Sequence, residues 1–243
     1  GGCVEEDLLR EGYTSARVFA VVGEKGVSTV KELEKYAANS ELKGYWFLEE
    51  IERGDKYCLE GFLFPDTYDF YTNDDPKRVL EKMLDDFDYR FTDAMKENFQ
   101  QMQERYANML SGNGYDSEYI DSHQLTLPQV VTMASMVQKE MATTKESFTI
   151  ASVLYNRLTN QKEYPRLDCD APVYYAIGDS FWEKEELTQE DLDFDSPHNT
   201  RKKQDLPPAP ICDPGIYAIY AAPVPVDTHY QYYNYSNAAV NRH

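Results

Sequence analysis

Basic residues are scarce in this 243-residue chain: 24 Lys and Arg stand against 43 Asp and Glu, for a formal net charge of −19 at pH 7. Phosphate contacts are made by clustered Lys and Arg, so this balance argues against a nucleic-acid partner and equally against an anionic membrane surface. Long apolar runs are missing as well. The run from Val18 to Val22 falls far short of the roughly 18 apolar residues of a membrane span. No signal peptide opens the chain; its first residues, Gly1-Gly2-Cys3, read as the start of a fragment cut from a longer protein. Cysteine is sparse, and Cys3, Cys58, Cys169 and Cys212 lack the close spacing of a metal site. Their even number permits two disulfides, and buried free thiols fit equally well. The four histidines (His123, His198, His229, His243) are scattered, so no metal site is expected. There is no phosphate-cradling glycine loop and no internal repeat.

What is present is apolar and aromatic material: 42% hydrophobic residues, 20 of the residues being Tyr. That suffices for one large domain or two modest ones. A neutral, hydroxyl-rich ligand such as a glycan is compatible with it.

The stretch Leu127–Leu158 organises the rest. Pro128 suits a first helical turn, and Val130, Ala134, Val137 and Met141 recur at helical spacing. Glu140 falls at the edge of this stripe, with Met133 and Met136 as angular neighbours, while Lys139 points to the other side. A carboxyl among Met and Val side chains is partly desolvated, which disfavours its charged form. Such an acid can hand a proton to a leaving oxygen, as glycoside cleavage requires. A rim glutamate on an ordinary amphipathic helix has the same pattern. Thr143 and Glu146 have capping-box spacing for a second helix, which buries Phe148, Ala151, Leu154, Tyr155 and Leu158 and ends near Asn156 and Arg157.

Elsewhere the pattern predicts helix within 4–27, a turn at Gly23–Gly26, and a helix capped by Ser28. Leu59–Tyr68 reads as a short strand entering a turn, with Glu60 and Asp66 either in solvent or bound to backbone and basic groups. Asp75-Pro76 starts a helical stripe that runs to Leu110 as one long helix, or as two broken near Thr92 or Asn98. A loop over 167–170 enters a short helix; Ser196–Thr200 is a polar turn; Leu206–Ile211 is rigid and extended; Ile216–Ala222 is helical; Tyr230–Tyr235 is strand-like.

Five of these segments, in this order, carry a resemblance: Leu59-Glu60-Gly61-Phe62-Leu63-Phe64-Pro65-Asp66-Thr67-Tyr68, Ala134–Glu140, Tyr155-Asn156-Arg157-Leu158, Ser196-Pro197-His198-Asn199-Thr200, and Leu206–Ile211 with Asp213-Pro214-Gly215 just after. Together they resemble the endolytic murein transglycosylase family (MltG, or YceG-like). The chain departs from the family pattern at Asp168–Pro172, where a Gln-Ser-Asp-Pro-Thr-like run is usual. It departs again at His198, where tyrosine is common, and at Asp205 and Ala209, which replace glycines.

The resemblance implies an α+β fold: a partial LysM-like module over 1–56, then a YceG-like catalytic domain over 57–243 holding the long helical segment near 76–110. It implies a single-pass membrane protein of which this chain is the extracytoplasmic part. Its substrate would be peptidoglycan glycan strands, with peptidoglycan synthases as further partners, and no cofactor is implied. The family's catalytic glutamate falls on Glu140. Asn156, Arg157, Asp170, Ser196, Asn199 and Thr200 are the expected substrate-binding residues from the same motifs. Arg157 reads equally as a salt-bridge partner. A hydrolase using Asp170 as second carboxylate, a pyridoxal-type lyase using Lys139, and a non-catalytic wall-binding scaffold are the alternatives.

Overall fold

The computed structural model describes residues 4–39, 42–178 and 184–233. It is predominantly helical, with a single two-stranded ribbon among the described residues, so the mixed class expected from the sequence holds in its coarse form. β1 (Val4–Leu8) pairs antiparallel with β2 (Thr67–Tyr71), Val4 opposite Tyr71 and Leu8 opposite Thr67. Tyr68 and Phe70 of β2 are buried while their neighbours are exposed, the period of a strand with one face on the core. This corrects two expectations. The segment after Val4 begins as strand, and helix starts only at Ser15; the second strand follows the 59–66 segment instead of occupying it.

α1 (Ser15–Glu24) is capped by Thr14, and α2 (Val30–Ala38) by a capping box in which Thr29 and Glu32 satisfy each other's backbone. The cap is thus Thr29, one residue beyond the expected Ser28. α3 (Pro76–Arg90) and α4 (Asp93–Gly112) are two helices. Phe91 leaves helical geometry at ψ 73°, and the Thr92 hydroxyl recaps the chain by accepting from the Met95 amide. Trp46 and Phe47, on a single 3₁₀ turn, insert against Phe62, Phe87 and Phe91, with Phe47 and Phe62 stacked at 5.7 Å. A short α5 (Ser117–Ser122), not anticipated from the sequence, buries no residue.

α6 (Leu127–Glu140) is the central element. Its start is fixed by a Thr126/Gln129 capping box with Pro128 in the first turn. The sequence predicts a one-sided stripe; the structure instead buries every residue from Val130 to Val137. α7 (Ser147–Leu158), α8 (Ala171–Ala176) and α10 (Ile216–Ala221) pack around it, which is why polar Thr132 and Ser135 are also enclosed. Ser135 is satisfied there: its hydroxyl donates to the Thr132 carbonyl (2.7 Å) and accepts from the Ile211 amide (3.0 Å). α9 (Gln189–Leu192) is a single exposed turn capped by Thr188. Residues 230–233 do not join the ribbon, and the remainder of the expected strand, Asn234 and Tyr235, lies outside the described residues. Among the described residues no helix is long and apolar enough to cross a membrane.

Candidate active site

Glu140 is the last residue of α6 and only 7% exposed. Met133 and Met136, its angular neighbours, are fully buried. The chain then leaves the helix at Met141 and re-enters through a capping box, as the Thr143/Glu146 spacing predicts. The Glu146 carboxylate accepts from the Ala142 and Thr143 amides (both 3.0 Å) and leads through a 3₁₀ turn into α7. The two residues before Glu140 are fastened to other parts of the fold. Gln138 accepts from the Gly215 amide (2.9 Å), and Lys139 Nζ donates to the Gly12 carbonyl (3.3 Å). Burial pushes the Lys139 ammonium below its usual range.

Cys169 faces the same region. Burial first, and then the negative charge of Glu140, push its thiol up. Its loop is fixed by Thr200, whose hydroxyl accepts from the Cys169 amide (3.2 Å) and donates to the Cys169 carbonyl (3.0 Å). Thr200 is therefore buried, as is Asn199, whose amide donates to the Leu192 and Phe194 carbonyls (3.0 and 2.8 Å). Asp170 is exposed and held by Arg201 at 2.5 Å. Ser196 is half-buried and accepts from the His198 amide (3.2 Å).

Asn156 and Arg157 carry most of the local architecture. Asn156 Nδ2 donates to the carbonyls of Thr228 and Tyr230 (both 2.8 Å). Arg157 is buried; its guanidinium donates to the Arg166 carbonyl (2.8 and 3.1 Å), to Asp168 (2.6 Å) and to the Gln231 carbonyl (3.2 Å), between the rings of Tyr164 and Tyr232. The segment 225–231 is thereby strapped across α7, and Tyr233 beyond it places its hydroxyl 3.7 Å from Cys169 Sγ. The ion pair with Asp168 is the salt bridge that the sequence allowed for at Arg157. Arg157→Lys keeps the charge but loses the planar fork. We expect it to cost about 2 kcal/mol, read as a lowered urea midpoint.

A second group of acids lies behind α6, outside the expected site. Glu60 is buried: its carboxyl accepts from the Ser15 amide (2.7 Å) and the Tyr175 hydroxyl (3.2 Å). Asp213 accepts from the Gly61 and Leu63 amides (2.7 and 3.2 Å) through one oxygen. Burial raises Glu60 to about 8. Burial, followed by the charge of Glu60, holds Asp213 well above the carboxylate range. An acid whose folded pKa is raised holds a proton that the unfolded chain releases near pH 4.5. Stability from this pair is therefore full at low pH and is lost as pH rises toward about 8, at up to ~1.4 kcal/mol per pH unit for each proton retained. Urea midpoints of Glu60→Gln should fall less steeply than those of the wild type between about pH 5 and pH 8, because one of the two retained protons is removed while burial still holds the other on Asp213; an equal slope in both would contradict the assignment.

Cys58, Cys169 and Cys212 are free thiols, so no disulfide joins them; Cys3 lies outside the described residues. Among the described residues no three of His, Cys, Asp and Glu converge on a metal-sized site. The involvement of Cys169 and the Glu60–Asp213 pair has no local signature in the sequence. The Asp168–Pro172 departure from the family pattern is the one signal that marks the Cys169 loop.

The profile of the YceG-like family matches residues 6–243. The chain belongs to the YceG-like family. Among its relatives is the endolytic murein transglycosylase of Bacillus subtilis, 34% identical over 178 residues, covering 73% of this chain and 42% of the relative. The protein of the same name from Streptococcus pneumoniae is 27% identical over 87% of this chain and 37% of its own length. The chain thus spans about two fifths of the length of the curated relatives it matches. The crystal structure of a YceG-like protein from Listeria monocytogenes superposes with a TM-score of 0.70 at 26% identity, covering 96% of this chain and 70% of that one.

Proposed function

We propose that this YceG-like chain is the catalytic part of an endolytic murein transglycosylase, which cleaves the bond between N-acetylmuramic acid and N-acetylglucosamine within peptidoglycan strands. The observation that carries the reading is Glu140: a nearly buried carboxyl on the last residue of a buried helix, within the Ala134–Glu140 segment that resembles the family's motif. Burial and the negative end of the α6 dipole both act against the carboxylate form, which suits a general acid.

Glu140 protonates the glycosidic oxygen as the bond to the muramic anomeric carbon breaks. The muramic acetamido oxygen stabilises the cationic centre, as in substrate-assisted glycosidases. Ionised Glu140 then takes the proton of the muramic C6 hydroxyl, whose oxygen closes on the anomeric carbon. A 1,6-anhydro end results, Glu140 is neutral again, and water is not consumed. Asp170 and Ser196 have side chains open to solvent and contact the sugar directly. Asn156, Arg157, Asn199 and Thr200 act as positioning residues through the loops they hold.

Residues 1–56 form part of a LysM-like accessory module and 57–243 the catalytic domain, in an ectodomain tethered by a membrane segment. Peptidoglycan synthases that extrude the strand are the natural neighbours.

Digestion in ¹⁸O-labelled water separates this reading from hydrolysis. Product ends free of label support the transglycosylase. Label at the new reducing ends would instead establish a hydrolase with Asp170 as second carboxylate, and tight binding without products would establish a scaffold.

A further inference from the structure

Glu60 is far in sequence from the residues proposed to meet the glycan, yet its carboxyl is bonded to the chain on both sides of them. One oxygen accepts from the Ser15 amide at the start of α1 (2.7 Å), the other from the Tyr175 hydroxyl (3.2 Å). Tyr175 belongs to α8, the helix that opens at Asp170 directly after Cys169. The first turn of α8 buries Ala171, Pro172 and Val173, and the helix packs on α6. The turn beyond is half-buried, and there the Tyr175 hydroxyl reaches back to Glu60. The Tyr175 ring also lies against His198, with centroids 5.0 Å apart. His198 sits in the Ser196–Thr200 turn, whose Thr200 hydroxyl holds both the amide and the carbonyl of Cys169. A circuit closes through Glu60, Tyr175, the 196–200 turn and the Cys169–Asp170 loop. On the Ser15 side, residues 12 and 13 exchange two backbone hydrogen bonds with Asp213 (2.8 and 2.7 Å), and the Gly12 carbonyl accepts from Lys139, the neighbour of Glu140.

We infer that Glu60 is a positioning residue for the cleavage: by bonding Tyr175 it sets the Cys169–Asp170 loop against the Glu140 end of α6. The effect on turnover rests on the function proposed above; the joint itself rests on the hydrogen bonds alone. Burial raises Glu60 to about 8, so at neutral pH the joint links two uncharged groups, and glutamine reproduces it. Tyr175→Phe removes the hydroxyl while keeping the ring that lies against His198. Its site is half-buried and loses no packing volume, so this variant separates positioning from folding.

The test has two arms, both on the full chain at pH 7: cleavage kinetics on uncrosslinked peptidoglycan strands, and amide hydrogen exchange followed by NMR. In Tyr175→Phe, kcat should fall about tenfold while KM stays within about twofold of wild type, the signature of a displaced group and not of lost substrate binding. Glu60→Leu, which has no acceptor, should lose as much, and Glu60→Leu/Tyr175→Phe no more than either alone, because the two residues act as one joint. Glu60→Gln should stay within about twofold of wild type. If Glu60→Leu does not fold, Tyr175→Phe decides the matter by itself. In the exchange arm, the Cys169 and Val173 amides, bonded to Thr200 and Asp170, should exchange about tenfold faster in Tyr175→Phe, while those inside α7 keep their rates. Unaltered kcat in folded Tyr175→Phe, a loss expressed in KM alone, or unaltered exchange at Cys169 would overturn the inference. If wild type cleaves nothing, the proposed function falls; faster exchange at Cys169 then still upholds the joint, and equal exchange removes it.

Discussion

Glu140→Gln should fold normally and lose about 10³-fold or more in the rate of glycan cleavage, the order of effect of removing a general acid that also serves as base. Glutamine has the same shape and carries no charge, so it suits this nearly buried position. It cannot donate a proton to an oxygen leaving group, nor take one from the C6 hydroxyl. The thermal midpoint should therefore stay within a degree or two of wild type while product formation vanishes. Glu140→Asp provides the geometric control. It keeps the acid but withdraws it by one methylene, a misplacement of about 1.5 Å that should cost on the order of 10²-fold. Release of soluble fragments from uncrosslinked strands measures both. An activity close to wild type in Glu140→Gln would remove this residue from the chemistry.

Gly61→Ala should produce the largest loss of stability of any single change considered, about 3 kcal/mol or more. Gly61 has φ +90°, a conformation that alanine reaches only with strain. A Cβ there would lie 2.6 Å from Cβ and Cγ of Pro210 and 2.9 Å from Cγ1 of Val131. Neither neighbour can yield easily: Pro210 is a ring in the rigid Leu206–Ile211 segment, and Val131 sits in the buried α6. The Gly61 amide also donates to Asp213, so a shift of this backbone loosens the buried acid pair as well. For a chain of this size the loss should lower the melting temperature by about 10 °C. A fall of a degree or less would show that the 59–66 segment packs against α6 less tightly than these distances indicate.

The helical frame was legible from the sequence because its signals are local. Asp75-Pro76 and the Thr143/Glu146 spacing mark true starts, and the break near Thr92 is a helix end with its own cap. β1 was not legible. Its pairing with β2 joins segments far apart in the chain, and its five residues have no alternation strong enough to separate them from helix. The burial of α6 on all sides was likewise hidden, since Thr132 and Ser135 look like an exposed face until the 211–212 backbone covers them. In the site, Glu140 closes a helix buried on all sides, where helical spacing alone has it on the edge of a one-sided apolar stripe. Asn156 and Arg157 look like ligand contacts by residue type, and only the path of the chain shows Asn156 donating to the strap carbonyls and Arg157 divided among the Arg166 and Gln231 carbonyls and the Asp168 carboxylate. Asp205 is a milder case. It adopts φ +67° where the family pattern has glycine, so the fold keeps the turn although the residue has changed.

The central claim is tested most directly by mass spectrometry of uncrosslinked peptidoglycan strands after incubation with wild type and with Glu140→Gln. The account predicts internal fragments ending in 1,6-anhydro-N-acetylmuramic acid from wild type and none from the variant. Fragments heavier by one water, or anhydro ends persisting with Glu140→Gln, would contradict it.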